Sequence, residues 1–123
     1  MALVRIDFSG QQAPGFAEKA AALVNRVMCD LLSVPEAENF VISQAHASGA
    51  LLHDPLNCPS ERRDQIVFIQ ITLNQGRSAE LKARFFAALT EKLVAAVNAK
   101  PENVYINLVE VARENWSFGQ AGG

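Results

Sequence analysis

Residues 2 to 43 pattern as strand, helix, strand, and residues 66 to 111 repeat that pattern about 65 positions later. Leu3-Val4-Arg5-Ile6-Asp7-Phe8 is echoed by Phe68-Ile69-Gln70-Ile71-Thr72-Leu73. Pro35-Glu36 ahead of Phe40-Val41-Ile42 is echoed by Pro101-Glu102 ahead of Val104-Tyr105-Ile106. A repeat of this size is one supersecondary unit used twice. Here the unit is β-α-β, and its helical crossover makes the two strands parallel and right-handed. The expected fold is α/β (or α+β): one domain over residues 1–123, four strands in one sheet, two helices on one face. The other face would carry Arg5, Gln70, Tyr105 and Asn107 beside apolar residues. Either a partner subunit covers part of it or it stays half wet.

The bulk numbers suit that size. A chain of 123 residues supports one domain with a real core. Half the residues are hydrophobic, 20% are charged and the formal net charge is -2, a soluble globular balance. The longest basic cluster is Arg62-Arg63, so a nucleic-acid footprint is not expected. No apolar run approaches bilayer length, and no secretory signal pattern opens the sequence. Cys29 and Cys58 read as reduced thiols of a cytoplasmic protein.

Val4, Ile6 and Phe8 alternate with Leu3, Arg5 and Asp7, the period of a strand with one buried face. Phe16, Ala20, Leu23, Val24, Val27, Met28, Leu31 and Leu32 follow at helical spacing, and Ser33-Val34-Pro35 ends that helix. Phe40 to Ser43 is the second strand. Residues 44 to 65 are irregular, long for a compact domain, with Ala50-Leu51-Leu52 as a possible short edge strand. Ile66 to Leu73 is the most apolar strand and is expected at the sheet centre. Ser78 suits the N-cap of a second helix whose buried face is Leu81, Phe85, Phe86, Leu89, Leu93, Val94 and Val97. Val104 to Val111 is the last strand.

Three segments carry a resemblance. Ile71-Thr72-Leu73-Asn74-Gln75-Gly76-Arg77-Ser78, then Asn107-Leu108-Val109-Glu110-Val111, then Glu114-Asn115-Trp116-Ser117-Phe118-Gly119, resemble the tautomerase superfamily. Within it the chain resembles the long-subunit branch around malonate semialdehyde decarboxylase, over nearly its whole length. The resemblance implies a homotrimer of β-α-β-α-β subunits. It also implies chemistry on small 2-oxo or enol carboxylates with no metal or organic cofactor. The family's defining residue is a proline exposed by removal of the initiator Met. Its secondary amine is a general base in tautomerases and, protonated, an acid or electrostatic partner in the decarboxylase. Here residue 2 is Ala2.

Removal of Met1 would leave a primary α-amine on Ala2, with a reference pKa of about 7.7–8.0. An apolar pocket and a neighbouring Arg would lower it. Such an amine serves as a base or forms a Schiff base; the other reading is an alanine that only opens a strand. Arg77 occupies the family's carboxylate-binding position, a task its planar fork suits. Alternatively it is a solvated arginine near a helix start, where the dipole disfavours a cation. The decarboxylase has a second arginine two positions earlier, and here that position is Gln75, or Asn74 if the turn aligns differently. Glu38 aligns with an active-site aspartate and would activate water or hold a proton, unless it is an ordinary surface Glu. Asn39 beside it suits a hydrogen bond to a substrate oxygen. Trp116 and Phe118 match the apolar wall of the site, or pack the trimer seam, or both. His46 aligns with a histidine common in this branch and is placed near the pocket. The His46, His53 and Cys58 spacing fits no standard zinc pattern, so no metal is expected.

The leading expectation is a protein that binds a small 2-oxo or enol carboxylate. If active, it interconverts enol and keto forms, on substrates resembling phenylpyruvate or shorter 2-oxo acids. Two alternatives stand beside it. One is a catalytically silent metabolite-binding or structural subunit. The other is a decarboxylase or hydratase acting on a 3-oxo acid through Glu38 and Arg77. No nucleic acid or membrane partner is expected.

Overall fold

The computed structural model describes residues 1–36, 39–47, 50–51 and 65–119. The order is β1 (Ala2–Ser9), α1 (Phe16–Leu32), β2 (Phe40–His46), β3 (Val67–Asn74), α2 (Ala79–Val97) and β4 (Val104–Val111). Short 3₁₀ turns at Pro101–Asn103 and Arg113–Asn115 flank β4. The four strands form one sheet in the order β2-β1-β3-β4. Strands within each unit are parallel, and the units join through antiparallel β1 and β3.

The register reproduces the spacing of the repeat. Arg5 pairs with Gln70, its own counterpart 65 positions on. The flanking pairs Ala2–Leu73 and Phe8–Val67 exchange under the same shift. A pseudo-twofold axis therefore passes through the Arg5–Gln70 pair. The helix ends obey it too. Ser33 closes α1 at φ +55° and Asn98 closes α2 at φ +57°, both left-handed, and they are 65 apart. Leu3 pairs with Phe40 and Phe68 with Tyr105, so Phe40 corresponds to Tyr105 and not to Val104. The sequence echo is off by one residue there, and such a slip changes the face on which every side chain falls.

Both helices lie on one face. Val4, Ile6 and Phe8 of β1 and Ile69, Ile71 and Leu73 of β3 meet Ala20, Val24 and Met28 of α1 and Phe85, Leu89 and Leu93 of α2. Burying one such large side chain is worth about 1.5–3 kcal/mol. Ser78 caps α2 as expected, its hydroxyl accepting from Leu81 N at 3.1 Å. Val94 departs from expectation: it is 36% exposed, because the apolar stripe of α2 is wider than the surface it covers. With Ala83, Phe86, Ala87, Thr90, Glu91 and Pro101 it lines an open groove of about 700 Å³.

The other face of the sheet carries no helix. Phe40 (62% exposed), Ile42 (45%), Phe68 (40%) and Tyr105 (44%) stand there. Phe68 and Tyr105 stack at 5.2 Å. Gln70 Nε2 donates to Asn107 Oδ1 at 3.0 Å. Asp7 accepts from Arg5 Nη2 at 3.0 Å and lies 2.8 Å from His46 Nε2.

β2 runs three residues past the expected Ser43, to His46, paired with β1 throughout. Leu52, within the suggested edge strand, lies outside the described residues, as do His53 and Cys58. No helix among the described residues is long and apolar enough to cross a membrane.

Candidate active site

Strand direction gathers the candidates. β1 and β2 begin, and β3 and β4 end, at one end of the sheet. The C-terminus of α1 and the N-terminus of α2 meet the same end. Ala2, Asn39, Gln75, Arg77 and Trp116 are thereby brought together from four separate segments. Glu38 belongs to the same stretch of sequence but lies outside the described residues.

Ala2 is fully buried where β1 begins. Its backbone nitrogen donates to Asn39 Oδ1 at 3.0 Å. Asn39 Nδ2 donates in turn to Asn25 Oδ1 at 2.8 Å and to the Pro35 carbonyl at 2.9 Å. Asn39 thus links the main chain of residue 2 to α1 and to the connection before β2.

Arg77 follows β3. Its Nε and Nη2 donate to the Leu32 carbonyl at 3.0 and 2.7 Å, and Nη1 donates to the Asn74 carbonyl at 2.9 Å. Leu32 is the last residue of α1, where carbonyls lack helical partners and the dipole favours a cation. The sequence placed this guanidinium against the unfavourable start of α2; the fold turns it onto the favourable end of α1. Three of its five N–H groups are used in this way.

The turn before Arg77 needs Gly76, whose φ of +127° suits no L side chain. Gln75 N donates to the Val111 carbonyl at 2.9 Å, tying the turn to β4, and its side chain is exposed. Glu110 of β4 pairs with Lys82 of α2. The Lys82 hydrogen bond holds the Glu110 carboxyl below its ordinary pKa, against slight desolvation; the Gly76 N–H and the Arg77 charge act in the same direction.

Trp116 Nε1 donates to Asn74 Oδ1 at 2.7 Å, which pins the segment after β4 onto the same turn. Phe118 stacks on Trp116 with ring centroids 6.0 Å apart and an interplanar angle of 13°. Phe118 is 54% exposed, so the two rings form a wall with one open side.

His46 is not at this end. It closes β2 beside Ser9, six residues beyond Phe40, or about 20 Å at strand rise. The reason is direction: β2 starts at the site and runs away from it. Within one subunit His46 serves Asp7 instead. Among the described residues no group of three His, Cys, Asp or Glu side chains is placed to hold a metal ion.

Asn25, Lys82 and Glu110 belong to this end of the sheet and were not singled out as site residues in the sequence; Asn74 entered there only as the alternative to Gln75. Asn25 left only a weak signal, an amide between Val24 and Val27 of α1, where Asn is a poor helix former. Lys82 and Glu110 left none, being ordinary surface residue types.

Comparison with known proteins places these features in context. Residues 38–119 match the sequence profile of a family described as tautomerase enzyme. The probable tautomerase YusQ of Bacillus subtilis (strain 168) is 25% identical over 119 residues, covering 97% of this chain and 94% of that protein. Among solved structures, FG41 malonate semialdehyde decarboxylase inhibited by 3-bromopropiolate superposes with a TM-score of 0.83. It is 29% identical, and the match covers 97% of this chain and 90% of that one. A fused 4-OT solved as a symmetric trimer superposes with a TM-score of 0.80 at 17% identity, covering 97% and 93%.

Proposed function

The chain belongs to the tautomerase enzyme family, and on that footing we propose that it binds a small 2-oxo or enol carboxylate and interconverts its enol and keto forms. The base is the α-amine of Ala2, freed by removal of Met1. It takes the proton of the enol hydroxyl as the carbonyl forms, and it returns a proton to the neighbouring carbon. No cofactor enters this cycle. Arg77, through the N–H groups not engaged by Leu32 and Asn74, holds the substrate carboxylate. Gln75 lies beside it, and Trp116 and Phe118 form a dry wall that strengthens charge interactions. Glu38 assists as a second carboxylate. The protein works in the cytoplasm as a homotrimer, with the helix-free sheet face turned toward the neighbouring subunits. The observation that carries this reading is the placement of the residue 2 nitrogen at the same end of the sheet as Arg77 and Trp116. Activity is weak, because a primary amine replaces the secondary amine of the family.

One observation favours a second reading, a silent binding or structural subunit. Arg77 commits most of its donors to backbone carbonyls. With Met1 retained, moreover, the residue 2 nitrogen is a peptide nitrogen without a basic lone pair. The decarboxylase or hydratase alternative rests on Glu38 acting with Arg77.

Ketonisation of enol phenylpyruvate distinguishes these readings. Three forms are compared, each verified by intact mass: chain starting at Ala2, chain retaining Met1, and Ala2→Pro with Met1 removed. Tautomerisation is expected in the first, loss of it in the second, and a rise in the third within the 10²- to 10⁴-fold that a well-placed general base contributes. Equal rates in all three forms remove the amine from the mechanism and leave the silent subunit.

A further inference from the structure

We propose that Asn39 is a positioning residue for the α-amine of residue 2, holding one of its N–H bonds and so restricting the directions in which its lone pair points. The proposal rests on the reading of that amine as the base. It starts from the two ends of one side-chain amide. The Pro35 carbonyl only accepts and the residue 2 nitrogen only donates, so chemistry alone assigns Nδ2 to the first and Oδ1 to the second. Asn25 adds a third hydrogen bond from α1. One amide is therefore anchored to a helix and to the connection before β2, and it presents a fixed oxygen to the start of β1.

That oxygen changes meaning when Met1 is removed. Residue 2 then has an amine at the same position, free to rotate about its N–Cα bond. Donation of one N–H to Asn39 Oδ1 stops that rotation. A neutral primary amine then keeps two orientations for its lone pair. A secondary amine, with its single N–H, would keep one. The same acceptor bonds the ammonium more strongly than the amine, so it favours the charged form. Charged side chains on the elements at this end of the sheet include Asp30 in the last turn of α1, Glu36 before β2, Arg77 after β3, Glu80 and Lys82 on α2, Glu110 on β4, and Arg113 and Glu114 just after β4; Glu38 lies outside the described residues. Asn39 is bonded to the nitrogen itself.

The competing explanation is that Asn39 only completes the β1–β2 ladder where the backbone of β2 has not yet begun. The two differ in what they do to the amine. In protein starting at Ala2, the residue 2 amine is titrated by NMR with labelled alanine, in the parent and in Asn39→Ala, Asn39→Asp and Asn25→Ala. Fold and assembly are checked by circular dichroism and light scattering. Asn39→Ala is expected to lower the amine pKa by about half a unit to one unit, a typical environmental shift. Asn39→Asp is expected to raise it, and Asn25→Ala to lower it by less. Asn39→Ala should also lower kcat for enol phenylpyruvate with KM little changed. A folded Asn39→Ala whose amine titrates as in the parent overturns the proposal. If that variant does not fold, an unmoved titration in folded Asn25→Ala and Asn39→Asp overturns it equally. An amine that follows Asn39 in a protein without tautomerase activity means that the positioning holds and the base assignment fails.

Discussion

Arg77 directs two N–H groups at a single oxygen, the Leu32 carbonyl that ends α1. The side chain is a strut between the two halves of the repeat as well as the candidate carboxylate clamp. Arg77→Ala should therefore lower folding stability by about 1.5–3 kcal/mol, the range for hydrogen bonds involving a charged group. Arg77→Lys should recover only part of this, since an ammonium cannot fork onto one carbonyl in a plane. Urea denaturation measures both. Calorimetry of pyruvate binding on the folded variants measures the second role. Stability lost with carboxylate affinity intact would make Arg77 a strut alone.

The helix-free face leads to a second expectation. Phe40, Ile42, Phe68 and Tyr105 form an apolar set on one side of the sheet. In the proposed homotrimer these are subunit contacts. Phe40→Asp combined with Tyr105→Asp should convert trimer to monomer at micromolar concentration, read by light scattering. Val94→Asp, on the outer surface of α2, should leave the mass unchanged. An unchanged mass in the double variant would place the interface elsewhere.

Acid should weaken the fold partly through Asp7. The Arg5 hydrogen bond holds the Asp7 carboxyl below its ordinary pKa; partial burial opposes this, and His46 reinforces it. A carboxyl depressed in the folded state stabilises it above the unfolded pKa of about 3.9, and loses that contribution as pH falls through the lower folded value. Glu110 acts in the same sense through Lys82. Asp7→Asn should thus be less stable than the parent at pH 6 and converge with it toward pH 3. Urea midpoints across that range test this. Parallel curves would mean that Asp7 titrates alike folded and unfolded. The effect is small, as exposed ion pairs generally are.

Most of the scaffold was legible in the residues. The repeat, the two helices on one face and the Ser78 cap follow from periodicities and capping chemistry that act over a few positions. What escaped depends on partners far along the chain. β2 seemed to end at Ser43 because Gln44, Ala45 and His46 have no apolar alternation; they stay in the strand through pairing with Asp7, Phe8 and Ser9. The position of Arg77 was evident, but its partner Leu32, 45 residues away, was not. The distance of His46 from Ala2 within one subunit was not evident, because a one-dimensional alignment carries no strand direction. Asn39 was assigned to a substrate oxygen since nothing local indicates that Ala2 comes to meet it.

The axis through Arg5 and Gln70 has one more consequence. It gives the fold two ends related by near symmetry, one organised around Ala2 and the other around Val67. At the second end, the position corresponding to Arg77 is Gln12, whose side chain donates to the Gln65 carbonyl at 2.9 Å. A polypeptide starts only once. Val67 is preceded by covalent chain and can never offer a free amine, however closely the backbone around it copies that of Ala2. In the proposed mechanism, duplication within one chain therefore halves the number of ends that can carry the amine base relative to an assembly of unfused units. The spare end is thereby released from that chemistry, and it carries Gln12 where the first end carries Arg77.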